Sequence, residues 1–484
     1  MREDWIETEI ISVASLYQPK TISSKMLVED GKYAVYGANG IIGCYHKYNH
    51  EEAEFLITCR GATCGNAHIT KPYSWINGNA MVVQPFNKQL LSLDYLKFVF
   101  TNKGRVQKAI SGSAQPQITR TSLSPIRIPL APLPEQRAIV AKIEELFSEL
   151  DRGEEDLKKV QEQLKIYRQA VLKKAFEGEL TKEWREQQKS LPTADVLLEQ
   201  IKEERQKHYQ LQIENWKKAL ETWEEKGKKD KKPSKPAKYK LFNSPVIPLK
   251  LKLPINWFFD CIGNTCTKTE YGTSSKSNTS GDVPVLRMGN MQDGKIVWED
   301  LKYSSDPDEI KQYLLRDGDV LFNRTNSPEL VGKTVQYKGE RSAIFAGYLI
   351  RLNHIERIIS GAYLNYFLNS HPAKVYGAVV KTDGVNQSNI NGEKFSNYPI
   401  PICSIKEQHK VVREIESRLS VCDSIKASMR ECLDKSKALR QSILKKAFEG
   451  TLLSEEEIAA CKAAQDYEPA SVLLERIKAE KKKK

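Results

Sequence analysis

The chain repeats part of itself at a fixed spacing, and this repeat limits its possible folds more than any other feature. The run RQAVLKKAFEGEL begins at Arg168, and RQSILKKAFEGTL begins at Arg440, 272 residues later. Repeats of this kind indicate two related structural units within one chain. Other residues match at the same spacing: Gly112 and Gly384, Gln115 and Gln387, Ile118 and Ile390, Ile128 and Ile400, Pro129 and Pro401, Glu135 and Glu407, Gln136 and Gln408.

The repeat extends beyond this region, less closely on its N-terminal side. VLLEQIK from Val196 returns as VLLERIK from Val472, at a spacing of 276, and Trp5 corresponds more loosely to Trp257. A chain of 484 residues is also too long for a single hydrophobic core. We therefore expect a module, a helical segment, a second module and a second helical segment.

Each copy predicts a helix of about 40 residues, because its apolar residues follow the heptad spacing of a coiled coil. Pairing the two helices in antiparallel fashion would bury both seams, although an ordinary helical hairpin in a globular core is an alternative. The first seam contains Ile139, Ile143, Leu146, Leu150, Leu157, Val160, Leu164, Tyr167 and Val171, and the second contains Val411, Ile415, Cys422, Ile425, Met429, Leu439 and Ile443.

The two modules alternate β-forming residues with glycine turns, as in YAVYGANGIIGCYHKY and VPVLRMGNMQDGKIVW. We predict an α+β fold with two tandem β-rich domains, separated by two long helices that form an antiparallel coiled-coil spacer in a pseudo-two-fold arrangement. The predicted boundaries are 1–130 for the first β-rich domain, 131–202 for the central helical region, 203–245 for a charged arm and lysine-rich linker, 246–402 for the second β-rich domain, and 403–484 for the distal helical region.

Composition favours a cytoplasmic protein with a polyanionic partner. The formal net charge is +13, and nine scattered cysteines do not form a disulfide framework. The acidic start MREDWIETEI is unlike a signal peptide, and no apolar run is long enough for a bilayer, so we expect neither secretion nor a membrane partner.

Sequence motifs for catalysis are lacking. There is no Walker-type phosphate loop or dinucleotide fingerprint, and hydrolase partners cannot be placed. Two groups have residue types that bind metals, but neither has a CxxC pair or a counterpart in the second half, so we interpret them as ordinary strand and turn residues and predict no metal site. These groups are Cys44, His46 and His50, and Cys59, Cys64 and His68.

The loops of both modules carry side chains suited to DNA. Arg and Lys pair with guanine edges, and Asn and Gln pair with adenine. Taken singly, each is more often a solvated surface group than a base contact, so the whole set is the evidence. The candidates are Asn39, Lys47, Arg60, Lys71, Ser111, Gln115 and Gln117 in the first module, and Arg287, Asn290, Arg324, Asn326, Lys333, Lys381, Asn386 and Gln387 in the second.

The layout resembles the specificity subunit of Type I restriction-modification systems. The likeness rests on PLPEQRAIVAKIEELF, LKKAFEGEL and their second copies, and on YGANGIIG, VPVLRMGN and GDVLFNRTNSPELVGK. It implies that each β-rich domain is a target-recognition domain for one half of a split double-stranded DNA sequence. It also implies two adenine-methylating modification subunits and two restriction subunits as partners. S-adenosylmethionine, ATP and Mg would then belong to those partners, with no cofactor bound by this chain.

The repeated helix ends predict a surface that is presented twice to such partners. Arg60 aligns with Arg324 at a spacing of 264, which makes these two the leading DNA-contact residues. The role of the arm at 203–245 stays open between DNA contact, partner docking and a tether. The docking candidates are Gln136, Lys173, Lys174 and Phe176 in the first copy, and Gln408, Lys445, Lys446 and Phe448 in the second.

Two other classes of function compete with this interpretation. One is a coiled-coil scaffold whose β-rich modules bind proteins, although Arg, Lys, Asn and Gln outnumber acids in the loops. The other is a self-contained nuclease or methyltransferase. A fused methyltransferase would need an Asn/Asp-Pro-Pro-aromatic run, which the sequence lacks, and DGDVLF at Asp317 is more typical of a turn into a strand than of a nuclease metal site.

Overall fold

The computed structural model describes residues 2–38, 40–112, 115–229, 231–242, 251–385 and 387–483. The chain divides into two compact units. Unit 1 comprises Met1–Lys159 and Ala427–Lys484, and unit 2 comprises Val160–Lys426. In the part of the chain that the structure describes, no helix combines the length and the apolar character needed to cross a bilayer.

The first segment of unit 1 is rich in short strands. Successive side chains of a strand point to opposite faces, so alternate apolar residues such as Phe55 and Ile57 pack into the same core. The strands are β1 (Ile6–Glu9), β2 (Ala14–Tyr17), β3 (Tyr33–Gly37), β4 (Gly40–Tyr45), β5 (Phe55–Thr58), β6 (Ala67–Ile69), β7 (Trp75–Ile76), β8 (Ala80–Pro85) and β9 (Arg127–Leu130).

Four α-helices begin in this segment. Ser92 caps the first, since its hydroxyl accepts a hydrogen bond from the Tyr95 N–H at 3.1 Å. The fourth helix starts in unit 1 and ends in unit 2. The helices are α1 (Leu93–Thr101), α2 (Lys103–Val106), α3 (Arg120–Leu123) and α4 (Leu133–Phe176).

Unit 2 contains fourteen described strands, several of only two residues. They are β10 (Phe258–Cys261), β11 (Cys266–Tyr271), β12 (Val283–Leu286), β13 (Met291–Gln292), β14 (Lys295–Ile296), β15 (Lys302–Ser304), β16 (Val320–Asn323), β17 (Thr325–Asn326), β18 (Thr334–Gln336), β19 (Ile344–Phe345), β20 (Leu349–His354), β21 (Thr382–Asp383), β22 (Ser388–Asn389) and β23 (Pro399–Ile402).

The helices of unit 2 include one that crosses a predicted domain boundary. The predicted boundary at 203 lies inside α6, so the charged arm begins as a continuation of the preceding helix. The helices are α5 (Lys182–Glu186), α6 (Ala194–Glu225), α7 (Ile262–Thr265), α8 (Pro307–Tyr313), α9 (Gly361–Leu368), α10 (His371–Val380), α11 (Gly392–Ser396) and α12 (Ile405–Glu449), which ends in unit 1.

The closing segment of the chain returns to unit 1. It contains α13 (Glu455–Lys462) and α14 (Ala470–Lys483). Leu473 and Ile477 of α14 are buried in the core of unit 1, and Leu197 and Ile201 of α6 are buried in unit 2. These pairs lie 276 residues apart, so the repeat of VLLEQIK is also a repeat of structure.

The main sheets have the same strand order in the two units. The four-stranded order β2-β8-β5-β6 of unit 1 corresponds to β11-β20-β16-β18 of unit 2. The three-stranded order β4-β3-β7 corresponds to β15-β12-β19, and each contains one parallel pair. The antiparallel pair β1-β9 corresponds to β10-β23. The predicted α+β fold with two β-rich domains and two long helices is confirmed.

The long helices are antiparallel within each unit, and ion pairs show their register. In unit 1, Arg440 lies 2.7 Å from Asp151. In unit 2, Arg168 lies 2.7 Å from Asp423. Arg168 and Arg440 are 272 residues apart, and so are Asp151 and Asp423, so one ion pair is the repeat of the other.

The predicted seams are buried over only part of their length. Ile143 and Ile415 are fully buried, whereas Val160, Tyr167 and Leu439 are exposed. Burial is complete where the β-rich domain of the same unit also covers the helix. Elsewhere a two-helix contact alone leaves part of each apolar face open to solvent.

Candidate nucleic-acid interface

In unit 1, the loop after β5 is joined to the SGSAQPQ loop. Arg60 and Gln117 form an isolated β-bridge, and Gln117 forms a second one with Ser111. The side chains of all three residues and of Gln115 are exposed. Four of the predicted DNA-contacting residues therefore lie at one surface of this unit.

In unit 2, the equivalent loops form the small sheet β17-β22-β21. The Asn389 side-chain amide donates a hydrogen bond to the Thr325 hydroxyl at 2.8 Å. Asn326 lies in β17, Lys381 directly precedes β21, and Gln387 directly precedes β22. Three predicted residues are thus brought together on this loop pair.

Backbone contacts correct the expected match of Arg60 with Arg324. Cys59 and Arg324 make the same two hydrogen bonds, one from the N–H and one to the carbonyl. Arg324 therefore occupies the position of Cys59, and Thr325 occupies that of Arg60. The partners are Asn79 (2.9 Å) and Ile118 (2.9 Å) for Cys59, and Tyr348 (3.0 Å) and Ile390 (2.9 Å) for Arg324.

This one-residue shift changes the chemistry of the site. Along extended backbone, a shift of one residue turns a side chain to the opposite face. Cys59 is buried, and burial raises the pKa of its thiol to about 12. Arg324 is only partly buried, with its guanidinium carbon 4.7 Å from the centre of the Tyr271 ring. The two arginines therefore approach the surface from different backbone positions.

Lys47 and Lys71 lie on other loops of unit 1. Both are exposed, Lys47 after β4 and Lys71 after β6. The Lys71 N–H donates a hydrogen bond to the Tyr36 hydroxyl at 3.0 Å. Among the described residues, no hydrogen bond joins either lysine to the loop of Arg60.

Arg287 and Asn290 hold a turn of unit 2. The Asn290 side chain is buried, donates hydrogen bonds to the carbonyls of Val297 (3.1 Å) and Glu299 (2.9 Å), and accepts one from the Arg287 N–H at 3.0 Å. Arg287 forms an ion pair with Asp300 at 3.0 Å. Since these contacts use the hydrogen-bonding capacity of Asn290, the structure gives it a structural role, and we leave it out of the proposed interface.

The remaining predicted residues of unit 2 have light contacts or none that can be described. The Lys333 ammonium donates to the Gln292 side-chain oxygen at 3.1 Å. The Lys381 ammonium lies 3.1 Å from the Asp383 carboxylate. Asn39 of unit 1 and Asn386 of unit 2 lie outside the described residues.

Three residues of this surface were missed by sequence reasoning: Thr325, Asn389 and Tyr271. Asn389 is the counterpart of Gln117 at the 272 spacing, so the repeat itself contained the signal. Tyr271 carries no such signal, because its contact with Arg324 depends on how β11 and the loop after β16 meet. No three His, Cys, Asp or Glu side chains cluster as metal ligands within the described ranges.

The helix starts that were predicted to dock partners are buried anchors. The Gln136 side-chain amide donates to the carbonyls of Ala131 (2.9 Å) and Leu90 (3.3 Å). The Gln408 amide donates to the carbonyls of Cys403 (2.9 Å) and Ile358 (2.9 Å). Both glutamines are fully buried. Their side chains fasten each long helix to the residue that follows the preceding strand and to the loop before α1 or α9.

The helix ends are anchored by aromatic contacts. Phe176 packs edge-on against Tyr363, with ring centres 5.1 Å apart, and Phe448 packs edge-on against Tyr95 at 5.6 Å. Both phenylalanines are buried. Gly178 (φ 72°) lies two residues after the end of α4 and Gly450 (φ 80°) directly follows α12, in each case where a left-handed backbone favours glycine.

Exposed lysines surround these anchors. Lys173, Lys174, Lys445 and Lys446 all face solvent. Docking of a partner at these eight predicted residues stays a prediction. For the two glutamines and two phenylalanines, the described contacts are internal to their own unit, which leaves the four lysines as the accessible part of the set.

Together, the duplicated domain and its paired loops define a class of proteins with two copies of one α+β domain joined by long helices. The family model described as "Type I restriction modification DNA specificity domain" matches residues 2–161 and 254–429. The chain belongs to this family. The resemblance noted in the sequence is confirmed.

Curated relatives agree with this assignment over most of the chain. The Type I restriction enzyme EcoKI specificity subunit of Escherichia coli (strain K12) is 26% identical over 480 residues, covering 96% of this chain and 84% of that protein. The StySPI specificity subunit of Salmonella potsdam is 24% identical over 474 residues, with 96% and 84% covered. The chain is thus similar to Type I specificity subunits along nearly its whole length.

A solved structure supports the fold. A chain from work on the structural basis of complex assembly and conformational transition of the type I R-M system has a TM-score of 0.62 and 16% identity to this protein. The match covers 93% of this chain and 99% of that one. At this identity the likeness establishes the fold alone.

Proposed function

We propose that this chain reads a bipartite double-stranded DNA target for a Type I restriction-modification complex, one half-site per β-rich domain. The observation that carries the proposal is the loop pair found in both units. Arg60 bridges Gln117 in unit 1, and Thr325 pairs with Asn389 in unit 2. Amide and guanidinium groups on adjoining loops suit hydrogen bonding to base edges in the major groove.

Different side chains at equivalent places suit two different half-sites. Arg60 is replaced by Thr325 in the corresponding bridge, and Gln117 by Asn389. A domain that kept its backbone and changed these residues would recognise another sequence, since base contacts specify while phosphate contacts position. A split target with two unlike halves is the expected result.

Partner subunits would dock on the helical regions. In unit 2, the long helices expose Ile166, Tyr167 and Val421, with 70%, 47% and 59% of their surface accessible. Exposed apolar side chains on a helix favour contact with another protein. The expected partners are two modification subunits that methylate adenine and two restriction subunits. S-adenosylmethionine, ATP and Mg would be bound by those subunits, and this chain would contribute recognition without catalysis.

The test is to co-express the chain with the genes beside it and to sequence the host DNA for N6-methyladenine. We expect a methylated motif with two specified halves and a fixed unspecified gap. Strains without this chain serve as the control. Methylation that persists in them, or failure of the chain to form a stable complex with a methyltransferase, would contradict the proposal and favour a protein-binding scaffold.

A further inference from the structure

Residues 206–240 fold into a hairpin of their own, here called the basic hairpin. The second half of α6 leads outward, and the described residues 231–240 return along it. The Trp216 indole N–H donates to the Pro233 carbonyl at 3.0 Å, and the rings of Tyr209 and Tyr239 meet edge-on at 6.3 Å. These contacts exclude a simple unstructured tether for the part of the arm that the structure describes.

The base of the hairpin is fixed to the second β-rich domain. Arg205 is buried, and its guanidinium donates to the Gly263 carbonyl (3.2 Å), the Asn264 side-chain oxygen (2.9 Å) and the Lys240 carbonyl (3.0 Å). Its carbon also lies 4.5 Å from the centre of the Tyr239 ring. The hairpin therefore leaves unit 2 from a defined point.

The returning segment, residues 231–240, presents lysines at a regular spacing. Pro233, Pro236 and Tyr239 are partly buried, Pro233 and Tyr239 in contact with Trp216 and Tyr209 of α6, and the lysine before each of the three is exposed. A period of three residues is typical of polyproline II, whose rise of about 3.1 Å per residue places successive lysines roughly 9 Å apart on one edge. These lysines are Lys232, Lys235 and Lys238.

Charge on the hairpin is high and largely unpaired. Residues 206–240 contain eleven lysines, five acidic residues and no arginine. Lys232 lies over the Trp223 ring and Lys235 over the Trp216 ring, each 5.9 Å from the ring centre. The following lysines make no ion pair with another described residue: Lys217, Lys218, Lys226, Lys229, Lys231, Lys232, Lys235 and Lys238.

A solubilising linker would explain the charge of the hairpin but not its anchored base or its internal contacts. It would need neither the anchored base nor tryptophans that hold lysine stems against a helix. A folded ridge of ammonium groups without arginine suits phosphates, because lysine acts as a point charge and arginine supplies the bidentate fork that reads a base. Each feature fits contact with a nucleic-acid backbone.

We propose that the basic hairpin binds the phosphates of duplex DNA outside the recognition sequence. The location of that duplex beside unit 2 rests on the proposed function, whereas the affinity of the hairpin for a polyanion does not. The contact would add affinity without changing the sequence that is read. Association would become more sensitive to salt, since each phosphate contact releases a counterion.

The test replaces five hairpin lysines with glutamine in the full chain and measures binding to a random-sequence duplex over a series of salt concentrations. A matched variant replaces five exposed lysines of the long helices. The hairpin set is Lys229, Lys231, Lys232, Lys235 and Lys238, and the control set is Lys158, Lys159, Lys165, Lys435 and Lys437.

The slope of log K against log salt is negative, and we expect the hairpin variant to make it shallower by about 0.9 for each lysine that touches a phosphate. The control variant should keep the slope of the unmodified chain. Trp216→Ala, which loosens the hairpin at constant charge, should weaken binding in the same direction. Equal slopes for the hairpin and control variants would overturn the proposal, and so would loss of methyltransferase binding with DNA binding unchanged.

A second duplex separates this proposal from the proposed function. It carries the methylated motif found by sequencing. If the hairpin proposal is correct, the lysine variant weakens binding to motif and random duplexes by the same factor, and the methylated motif is unchanged. If the unmodified chain shows no preference for the motif, the proposed function fails, while the salt slope on random DNA still decides the role of the hairpin.

Discussion

Unit 1 and unit 2 fasten the start of their long helix with the same glutamine contacts, yet they surround the adjoining glutamate differently. In unit 1, Glu135 accepts a hydrogen bond from the Trp5 indole at 2.8 Å, with Arg2 at 3.8 Å. In unit 2, Glu407 accepts from Arg185 at 2.7 Å and from Thr181 at 2.9 Å. A buried carboxylate can therefore be kept while its partners change from mainly neutral to charged.

The candidate DNA-binding loops differ more than these anchors do. The bridge between the two loops is kept, but Arg60 is replaced by Thr325 and Gln117 by Asn389. Buried anchors are constrained by packing and hydrogen bonding at once, whereas exposed loop residues need only preserve the backbone. The comparison separates a shared framework from the surface that is free to differ.

The largest expected effect is loss of an aromatic anchor. Phe176→Ala and Phe448→Ala should each destabilise the protein by about 3–5 kcal/mol, because a buried ring leaves a cavity. Phe176→Ala should be the more harmful, since Phe176 also contacts Phe367 at 5.1 Å. Urea unfolding of the full chain measures this, with the exposed neighbour Lys173→Ala as the control. A larger loss at Phe448 would reverse the ranking of the two anchors.

The second-largest loss of stability is expected from replacing a buried glutamate. Glu407→Gln leaves the Arg185 guanidinium without its charged partner, and should cost about 3–5 kcal/mol. Glu135→Gln keeps an acceptor for the Trp5 indole and should cost about 1 kcal/mol. Thermal unfolding of the two variants compares them directly. Equal losses of stability would show that Arg2 and Arg185 contribute equally through their ion pairs with Glu135 and Glu407.

A smaller effect is expected on DNA binding. Arg60→Ala should weaken binding to the target by about 1–3 kcal/mol if Arg60 reads a base. Thr325→Ala, at the equivalent position, should have less effect because it removes a single hydroxyl. Binding measured on duplexes altered in one half-site assigns each residue to its half.

Arg324→Ala should lower only the salt slope if Arg324 contacts phosphate, and unchanged binding would remove it from the interface.

The smallest effect concerns the repeated ion pairs between the long helices. Arg168→Ala and Arg440→Ala should each cost about 0.5–1 kcal/mol, as partly exposed pairs do, and less at high salt. Measuring the stability of both variants in low and high salt tests whether the two repeated ion pairs contribute similar free energies. A loss for Arg168→Ala that salt does not reduce would argue against a Coulombic role.

The unit 2 pair also predicts a pH dependence. Burial raises the pKa of the Asp423 carboxyl, but hydrogen bonds from Lys295 and Arg168 outweigh it, so the net pKa is lowered. A lowered folded-state pKa stabilises the fold above the ordinary Asp pKa, and this contribution is lost as the pH falls through the folded value. Asp423→Asn should therefore show a smaller loss of stability on acidification than the unmodified chain.

The sequence predicted the framework well because repetition and packing leave strong patterns. The helix ends at Phe176 and Phe448 match closely, and both are followed by the glycine that ends the helix. A close match between the two copies does not by itself identify docking residues. Gln136 and Gln408 match for internal reasons, since an amide that satisfies two buried carbonyls is as constrained as one that faces a partner.

The location of the candidate DNA-binding loops was predictable from the sequence, but the residue-by-residue match between them was not. Both loops were predicted from their glycines and amides, but Asn389 was missed although it is the counterpart of Gln117 at the 272 spacing. The match of Arg60 with Arg324 failed because residue identity does not report the backbone bridges that define equivalence. The contact of Arg324 with Tyr271 depends on tertiary packing, which spacing along the chain does not encode.

The division of the chain has a consequence for synthesis on the ribosome. Unit 2 is one continuous stretch, while unit 1 needs residues 427–484 to complete its core. The Ala470 N–H donates to the Asp4 carbonyl at 3.0 Å, and Lys462 lies 2.7 Å from the Asp4 carboxylate. The domain that is translated first is therefore finished last, and a premature stop codon near the end of the gene would damage the N-terminal domain.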